Sequence, residues 1–531
     1  MRRSQRRLAA GSAAAAFLAL AMNAPHSAAS TESGATLPTT SAQIQPVDRR
    51  TVTEQPALSE AQRTELVLHH LDIREQASAA ESVPVEAVPA APDAAPGQRG
   101  GETVLQGVGT DAMQIGRNKR NDHATTVAST LAEPAAANKG KKVHYTGNTF
   151  ASSSKNRGKT WTSEALPGGP ADAPTACCDL DVVRAHAQDR FFSSLLYTNG
   201  AVTNGVVRIF VRTNPRVAET CFYDIDPGGA ADNILPDYPH LAVSNNFLYL
   251  STNDLTDGAW TGAQVYRFDV AQMAACTTTN YNLLTWTGSV GQRILTPVEG
   301  ATDVMYLGST ESATTFRAFS WPESSTSVTS FTYTVDSSTF TNPDCRGGVD
   351  NFDFIERDTA WSITGFRLRG ATGGGQTTFW WPVAPDVNHP QAHLHGATIR
   401  TSDMALIDQP PVWNSTTCFG YPAVSSNVFG EYGMSMAAGG QAGGGGTSAQ
   451  GVVLVDDTES AGIFFPLYSV TATGTHNRTD GRFGDYFTVR TNARCTSAWV
   501  ATNYALLDGN TTSAHVNARY VEFQSTLDPP C

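Results

Sequence analysis

Short apolar runs divided by Gly, Asn, Asp and Pro, no long helical period after Thr103, and a weak repeat of roughly 50 to 70 residues predict an all-β chain. Strand-only repeats of that length point to a β-propeller of seven blades, each a small antiparallel sheet facing a central channel. The reading places a signal peptide at 1–29, a low-complexity linker or pro-segment with one short helix at 30–102, and the propeller at 103–531. Of the 531 residues, 40% are hydrophobic and only 16% charged, with 46 Gly and 28 Pro, which suits a large core crossed by many turns.

The first thirty residues, MRRSQRRLAAGSAAAAFLALAMNAPHSAAS, supply a basic start, an Ala-rich apolar stretch and small residues at Ser27, Ala28 and Ala29 where a signal peptidase could cut. A secreted protein, extracellular or periplasmic, is expected, and Arg6-Arg7 also permits twin-arginine export. No later segment holds the roughly 18 to 20 continuous apolar residues of a membrane span, so no membrane insertion is expected. The segment to about 102 is mostly disordered by composition, being rich in Ala, Pro, Ser, Thr and Glu. Within it LSEAQRTELVLHHLDIREQ carries a capping box, Ser59 and Gln62, ahead of Leu66, Leu68, Leu71 and Ile73.

VVRIFVRT, NFLYLSTND, AQVYRFDV, TAWSITGFRL, TTFWWPV, SAWVATNYALL and NARYVEFQ read as strands. Six segments open successive groups: CCDLDVVRAHAQDRFFSSLLYT, DYPHLAVSNNFLYLSTND, VEGATDVMYLGST, GVDNFDFIERDTAWSITGF, FGYPAVSSNVFGEYGMSM and FGDYFTVRTNARCTSAWVATNY. With one earlier hairpin they make seven blades; if N-terminal strands instead complete the last blade, the alternative count is six.

Eight cysteines, Cys177, Cys178, Cys221, Cys276, Cys345, Cys418, Cys495 and Cys531, read as disulfides in an exported chain. Their pairing stays open. Cys495 with Cys531 would pin the C-terminal strand, and Cys177 and Cys178 either close on each other or pair elsewhere. A net charge of −13 argues against nucleic acid and anionic lipid surfaces as partners.

The early hairpin is SSSKNRGKTW. It resembles the Asp-box hairpin of the sialidase-like, or BNR-repeat, propellers, Ser-x-Asp-x-Gly-x-Thr-Trp, with Ser154, Asn156, Gly158, Thr160 and Trp161 in those places. Asn stands where the family has Asp, and an amide oxygen can cap the same backbone N–H groups. The resemblance implies a secreted propeller with its ligand site at one channel mouth. A true sialidase is not implied, because no Arg-Ile-Pro-type motif precedes the hairpin; QIGRNKRNDH does not match and RILTP follows it.

Loops leading into the inner strands carry acidic and aromatic residues at comparable places. Asp179, Asp181, Asp350, Asp353 and Asp485 are the candidate catalytic carboxylates, as two carboxylates roughly 5 to 9 Å apart serve a glycosidase. Tyr238, His240, Arg346, Tyr421, Arg482 and Tyr486 are the candidate substrate-binding residues, since aromatic faces stack on sugar rings. In a lyase His240, Tyr238 or Tyr486 would act as base. Equally, each Asp could cap its loop and each Tyr pack in the channel as a structural device.

In NHPQAHLHGATIR, His393 and His395 share a strand face at a spacing compatible with zinc, with His389 nearby, yet no third ligand is identified and a polar blade edge is the plainer reading. No metal and no cofactor are therefore expected. The tract GGQAGGGGTSAQ, Gly439 to Gln450, lacks a phosphate-loop context and reads as a mobile hairpin loop. Neither a Gly-x-Ser-x-Gly elbow nor a His-Glu-x-x-His motif occurs. The expectation is a monomer that meets a carbohydrate or cell-surface glycan. It acts as a glycoside hydrolase or polysaccharide lyase, or else as a lectin or adhesin that binds glycan or protein without chemistry.

Overall fold

The computed structural model describes residues 34–48, 113–122, 131–215, 218–228, 233–287, 294–336, 344–355, 367–456, 464, 468–510 and 515–531. The expected signal peptide, the helix around 59–73 and most of the strand TAWSITGFRL lie outside them.

Seven antiparallel sheets follow one another along the chain. Their inner strands are Ala135–Lys139, Val182–Ala185, Ile234–Val243, Thr296–Pro297, Arg369–Gly373, Cys418–Ser426 and Thr488–Thr491, and they define blades 1 to 7. Each inner strand touches the next, and that of blade 7 touches that of blade 1, so the ring closes around a channel. The fold is a seven-bladed β-propeller. Because blades stack face to face, their middle strands are covered on both sides: all eight residues of Gly205–Arg212 are buried. This is why such segments read as continuous apolar runs and not as alternation. The largest inter-blade cores join blades 2 to 5 and blades 1, 6 and 7.

The repeat expected from sequence locates six blades correctly and misplaces one. GVDNFDF does not open blade 5; Arg346–Gly347 and Phe352–Asp353 form a separate two-stranded hairpin, and blade 5 begins at Arg369. The Gly-rich tract docks on that hairpin. Gly443 N donates to Asp344 Oδ2 at 2.9 Å and Gly445 N to Asn351 Oδ1 at 2.8 Å. A Cβ on Gly440 would lie 2.3 Å from the Cys345 carbonyl, and its φ of +61° also favours Gly, so close approach explains this glycine.

Closure and blade count are also combined differently. Met113–Arg120 pairs with Arg519–Ser525 as the outer strand of blade 7, so terminal exchange occurs within a count of seven and does not lower it to six. Part of the expected linker is structured too. Ala35–Leu37, Thr40–Ile44 and Val47–Asp48 add outermost strands to blades 4, 3 and 2 in turn, the chain running backward around the rim. Polar side chains reinforce this pairing, as between Gln43 and Asn280 at 2.9 Å.

All eight cysteines pair: Cys177 with Cys178, Cys221 with Cys276, Cys345 with Cys418, and Cys495 with Cys531 as expected. The second ties blade 2 to blade 3, and the third ties the extra hairpin to blade 6. Among the described residues no helix is long and apolar enough to cross a membrane.

The SSSKNRGKTW hairpin joins the two outer strands of blade 1, Phe150–Ser154 and Thr162–Glu164. Ser154 Oγ accepts from Gly158 N at 2.9 Å, and Asn156 Oδ1 from Thr160 N at 2.9 Å, so the amide does cap the turn. Trp161 reaches across the seam. Its ring meets Tyr145 of blade 1 and Tyr520 of blade 7 edge-on, and Nε1 donates to the Arg120 carbonyl at 3.0 Å. Arg157 Nε bonds Glu522 of blade 7, at 3.0 Å to both oxygens. Asn156→Ala, which removes three exposed or part-buried hydrogen bonds, should lower stability by about 1 to 2 kcal/mol, while Asn156→Asp stays within about 0.5 kcal/mol. Thermal melting of the two variants beside wild type checks the ordering.

Candidate functional site

Four blades begin with the same short device. In Ala132-Glu133-Pro134-Ala135, Cys178-Asp179-Leu180-Asp181, Asp237-Tyr238-Pro239-His240 and Gly420-Tyr421-Pro422-Ala423 the second residue has positive φ: 41°, 59°, 55° and 55°. Two of these, at Tyr238 and Tyr421, sit at shifts in the ladder to the next strand. Few non-glycine residues adopt this conformation, and each instance costs about 1 to 3 kcal/mol. A bulge also re-aims side chains, and here all four strained residues are buried.

At the centre Asp181, His240, Glu299, Arg369 and Arg490 come together from blades 2, 3, 4, 5 and 7 around a cavity of about 20 Å³, room for about one water. Arg490 bridges the two acids: Nη2 donates to Asp181 Oδ1 at 2.8 Å and Nη1 to Glu299 Oε1 at 2.6 Å. Asp181 also accepts from Val182 N at 2.7 Å and Leu241 N at 2.9 Å. Burial would raise the Asp181 carboxyl, but Arg490, His240 and the Leu241 N–H outweigh it and hold it at about 2. For Glu299 burial wins over Arg490, and with the Asp181 charge beside it the carboxyl is pushed up to about 7. Burial and then Arg369 push His240 down to about 3, so it is neutral and its 3.9 Å approach to Asp181 is no ion pair.

A second group adjoins this one. Glu133, Asp179 and Asp485 each bring a carboxylate oxygen within 4.8 Å of the others, all buried. Arg367 Nη2 binds Asp485 Oδ1 at 2.9 Å and the Gly484 carbonyl at 2.8 Å, and its guanidinium covers the Tyr421 ring at 4.8 Å. Tyr486 lies between the groups; burial, then Asp179 and Glu133, hold its phenol well above the usual range. The Cys177–Cys178 disulfide directly precedes Asp179 and is buried with it.

Of the residues singled out in the sequence, Asp179, Asp181, Asp485, Tyr238, His240, Tyr421 and Tyr486 do converge on the channel. Asp350, Asp353 and Arg346 do not. They belong to the extra hairpin, where Asp353 caps its loop by accepting from Cys345 N and Ile355 N, both at 2.8 Å. Asp350 faces His476 at 3.6 Å, and Arg346 pairs with Asp344 at 2.7 Å. Arg482 is buried beside Asp480, which accepts its N–H at 3.3 Å. The stacking role expected of Tyr238, Tyr421 and Tyr486 is corrected as well, because at 1 to 2% exposure they show no face to a sugar. Tyr238 and Tyr486 instead pack edge-on against His240, at 4.4 and 5.0 Å between ring centres.

Glu299, Arg369, Arg490, Glu133 and Arg367 were missed. Glu299 lies in VEGATD, already aligned as the opening of a blade, and Arg490 is the one charge within the short inner strand of blade 7, Thr488–Thr491. A charged side chain at the channel end of a buried strand is the signal that could have found them.

No protein-family model matches the chain, and no curated protein matches it. Among solved structures it is similar to an α-L-arabinanase of Penicillium chrysogenum in complex with arabinobiose, at 10% identity over 77% of this chain and 96% of that one, with a TM-score of 0.37. An α-L-arabinofuranosidase of Fusarium graminearum with arabinobiose gives 10% identity over 76% and 94%, TM-score 0.37. A sialidase of Trypanosoma rangeli gives 8% identity over 76% and 59%, TM-score 0.35.

Proposed function

We propose that this chain is an exported glycoside hydrolase whose reaction takes place at the channel mouth. The observation that carries the reading is the Asp181–Arg490–Glu299 bridge: two carboxylates a guanidinium's width apart, with affinities for protons driven in opposite directions, beside a water-sized cavity. Cleaving a glycosidic bond needs such a division, one group protonated near neutrality and one ionised, within roughly 5 to 9 Å. Glu299 supplies the proton to the departing oxygen. Asp181 stays ionised and faces the positive charge that develops at the sugar carbon. Arg369, whose Nη2 makes no hydrogen bond among the described residues, is the donor left to hold a substrate oxygen.

The narrowness of the cavity favours a second reading, a propeller that binds glycan at the rim without cleaving it. A polysaccharide degradation screen run beside a glycan-binding array separates the two. Hydrolysis by wild type that falls about 100- to 10,000-fold in Glu299→Gln and in Asp181→Asn, with binding kept, supports the enzyme. Equal hydrolysis by wild type and Glu299→Gln would sink it, and binding without cleavage selects the rival.

The pH profile offers a further expectation. Glu299 acts as acid only while protonated, so kcat/KM should fall as pH rises through about 7 and hold on the acid side until Asp181 protonates near 2. Stability carries the same sign. A carboxyl raised from 4.5 to about 7 on folding means the native state binds the extra proton, so this contribution is lost as pH climbs between those values. Melting curves at pH 5 and pH 8 should therefore show Glu299→Gln losing less on the alkaline side than wild type.

A further inference from the structure

The loop joining the second and third strands of blade 5, residues 384–392, lies on the face of the propeller that holds the channel mouth. Arg369 starts the inner strand at the channel cavity, and the antiparallel partner brings the chain back level with it at Trp380, just before the loop. Asp386, His389 and His393, the last being the first residue of the third strand, converge there, each with a potential ligand atom within 4.8 Å of the other two.

The local chain prepares each donor. Asp386 Oδ1 accepts from Asn388 N at 2.7 Å and His389 N at 2.8 Å, which fixes the turn. Its other oxygen, Oδ2, is left facing His389 Nδ1 at 2.8 Å and His393 Nε2 at 3.8 Å. His393 Nδ1 lies 3.1 Å from the Gln391 carbonyl, which can only accept, so Nδ1 carries the proton and Nε2 presents its lone pair. That is the outer hydrogen bond by which proteins orient a metal-binding imidazole. Gln391 anchors the loop by accepting from Ala442 N at 2.8 Å, and Trp413 packs edge-on against His389.

We propose that Asp386, His389 and His393 form a binding site for zinc or a divalent transition ion of similar character. Two imidazole nitrogens and one carboxylate oxygen suit such an ion, whereas calcium and magnesium would find a single carboxylate where they require six or so oxygens. The ion displaces to solvent the proton shared by His389 Nδ1 and Asp386 Oδ2 and binds both atoms, with His389 in its Nε2–H tautomer, and water completes the coordination. Asp386 is 44% exposed, which gives the ion a route from solvent. His395, which strand alternation pairs with His393, lies outside the donor set. Its Nε2 is 3.4 Å from Gln409 and its ring packs on Trp381.

The test strips the full chain with a chelator, dialyses it against zinc ion and measures bound metal. Wild type and His395→Gln should each retain one more equivalent than His393→Ala and Asp386→Asn, with affinity at this site weakened at least about 100-fold in the latter two. Cobalt ion should give visible bands of tetrahedral coordination in wild type that both variants lack. Asp386→Asn, on an exposed turn, guards against misfolding of the buried His393 variant, and circular dichroism verifies both. Equal zinc in wild type and Asp386→Asn, or an equal loss in His395→Gln, overturns the assignment.

Discussion

A ring of seven sheets holds only if the seventh is fastened to the first, and in this chain the fastening comes from a strand that precedes blade 1. Met113–Arg120 completes blade 7, and the next described strand along the chain, Ala135–Lys139, is the inner strand of blade 1. Trp161 and Arg157 press on the same seam from the blade 1 hairpin. The channel site depends on this closure. Arg490 belongs to blade 7 while its partners Asp181 and Glu299 belong to blades 2 and 4, so an opened ring would part the charges that define the site.

Part of the backbone strain lies where the chemistry is expected: four of the thirteen non-glycine residues with positive φ among the described residues are at the channel. The four positive-φ residues at the heads of blades 1, 2, 3 and 6 sit in the most enclosed part of the molecule, where packing on all sides can over-determine an unfavourable backbone. Blade 2 adds a disulfide between neighbouring cysteines just before its strained Asp179, stiffening the stretch that positions both Asp179 and Asp181. Fold and site are thus one arrangement: the bulges that bend the inner strands are what turn carboxylates and phenols toward the axis.

Much of the architecture was legible in the sequence because strand repeats leave a compositional trace. The hairpin at Ser154 and the openings at Cys177, Asp237, Phe419 and Phe483 all mark real blades. Blade 5 was misplaced because GVDNFDF imitates an opening, with an acidic residue and aromatics in the right order, and only three-dimensional pairing shows it to be an insertion. The site was half legible. Asp181 and His240 stand in conspicuous clusters, but Glu299 and Arg490 gain their meaning from each other across the channel, and no spacing along the chain encodes that meeting. Burial was equally invisible, so the tyrosines looked like sugar platforms when they are packing. The Gly-rich tract holds more than a loop signal: Gly440 and Gly444 permit close approach to Cys345 and Asn351 of the extra hairpin.

The strands at 34–48 have a bearing on how copies of the protein meet. Every blade ends in an outer strand whose outward backbone groups could pair with any extended chain that came alongside. On blades 2, 3 and 4 those groups are already engaged by the backward-running segment, which turns short, mostly polar and exposed strands to the solvent. A protease acting on this segment would uncover three neighbouring sheet edges at once. While the segment stays in place, the edges that blades 2, 3 and 4 present are short and mostly polar.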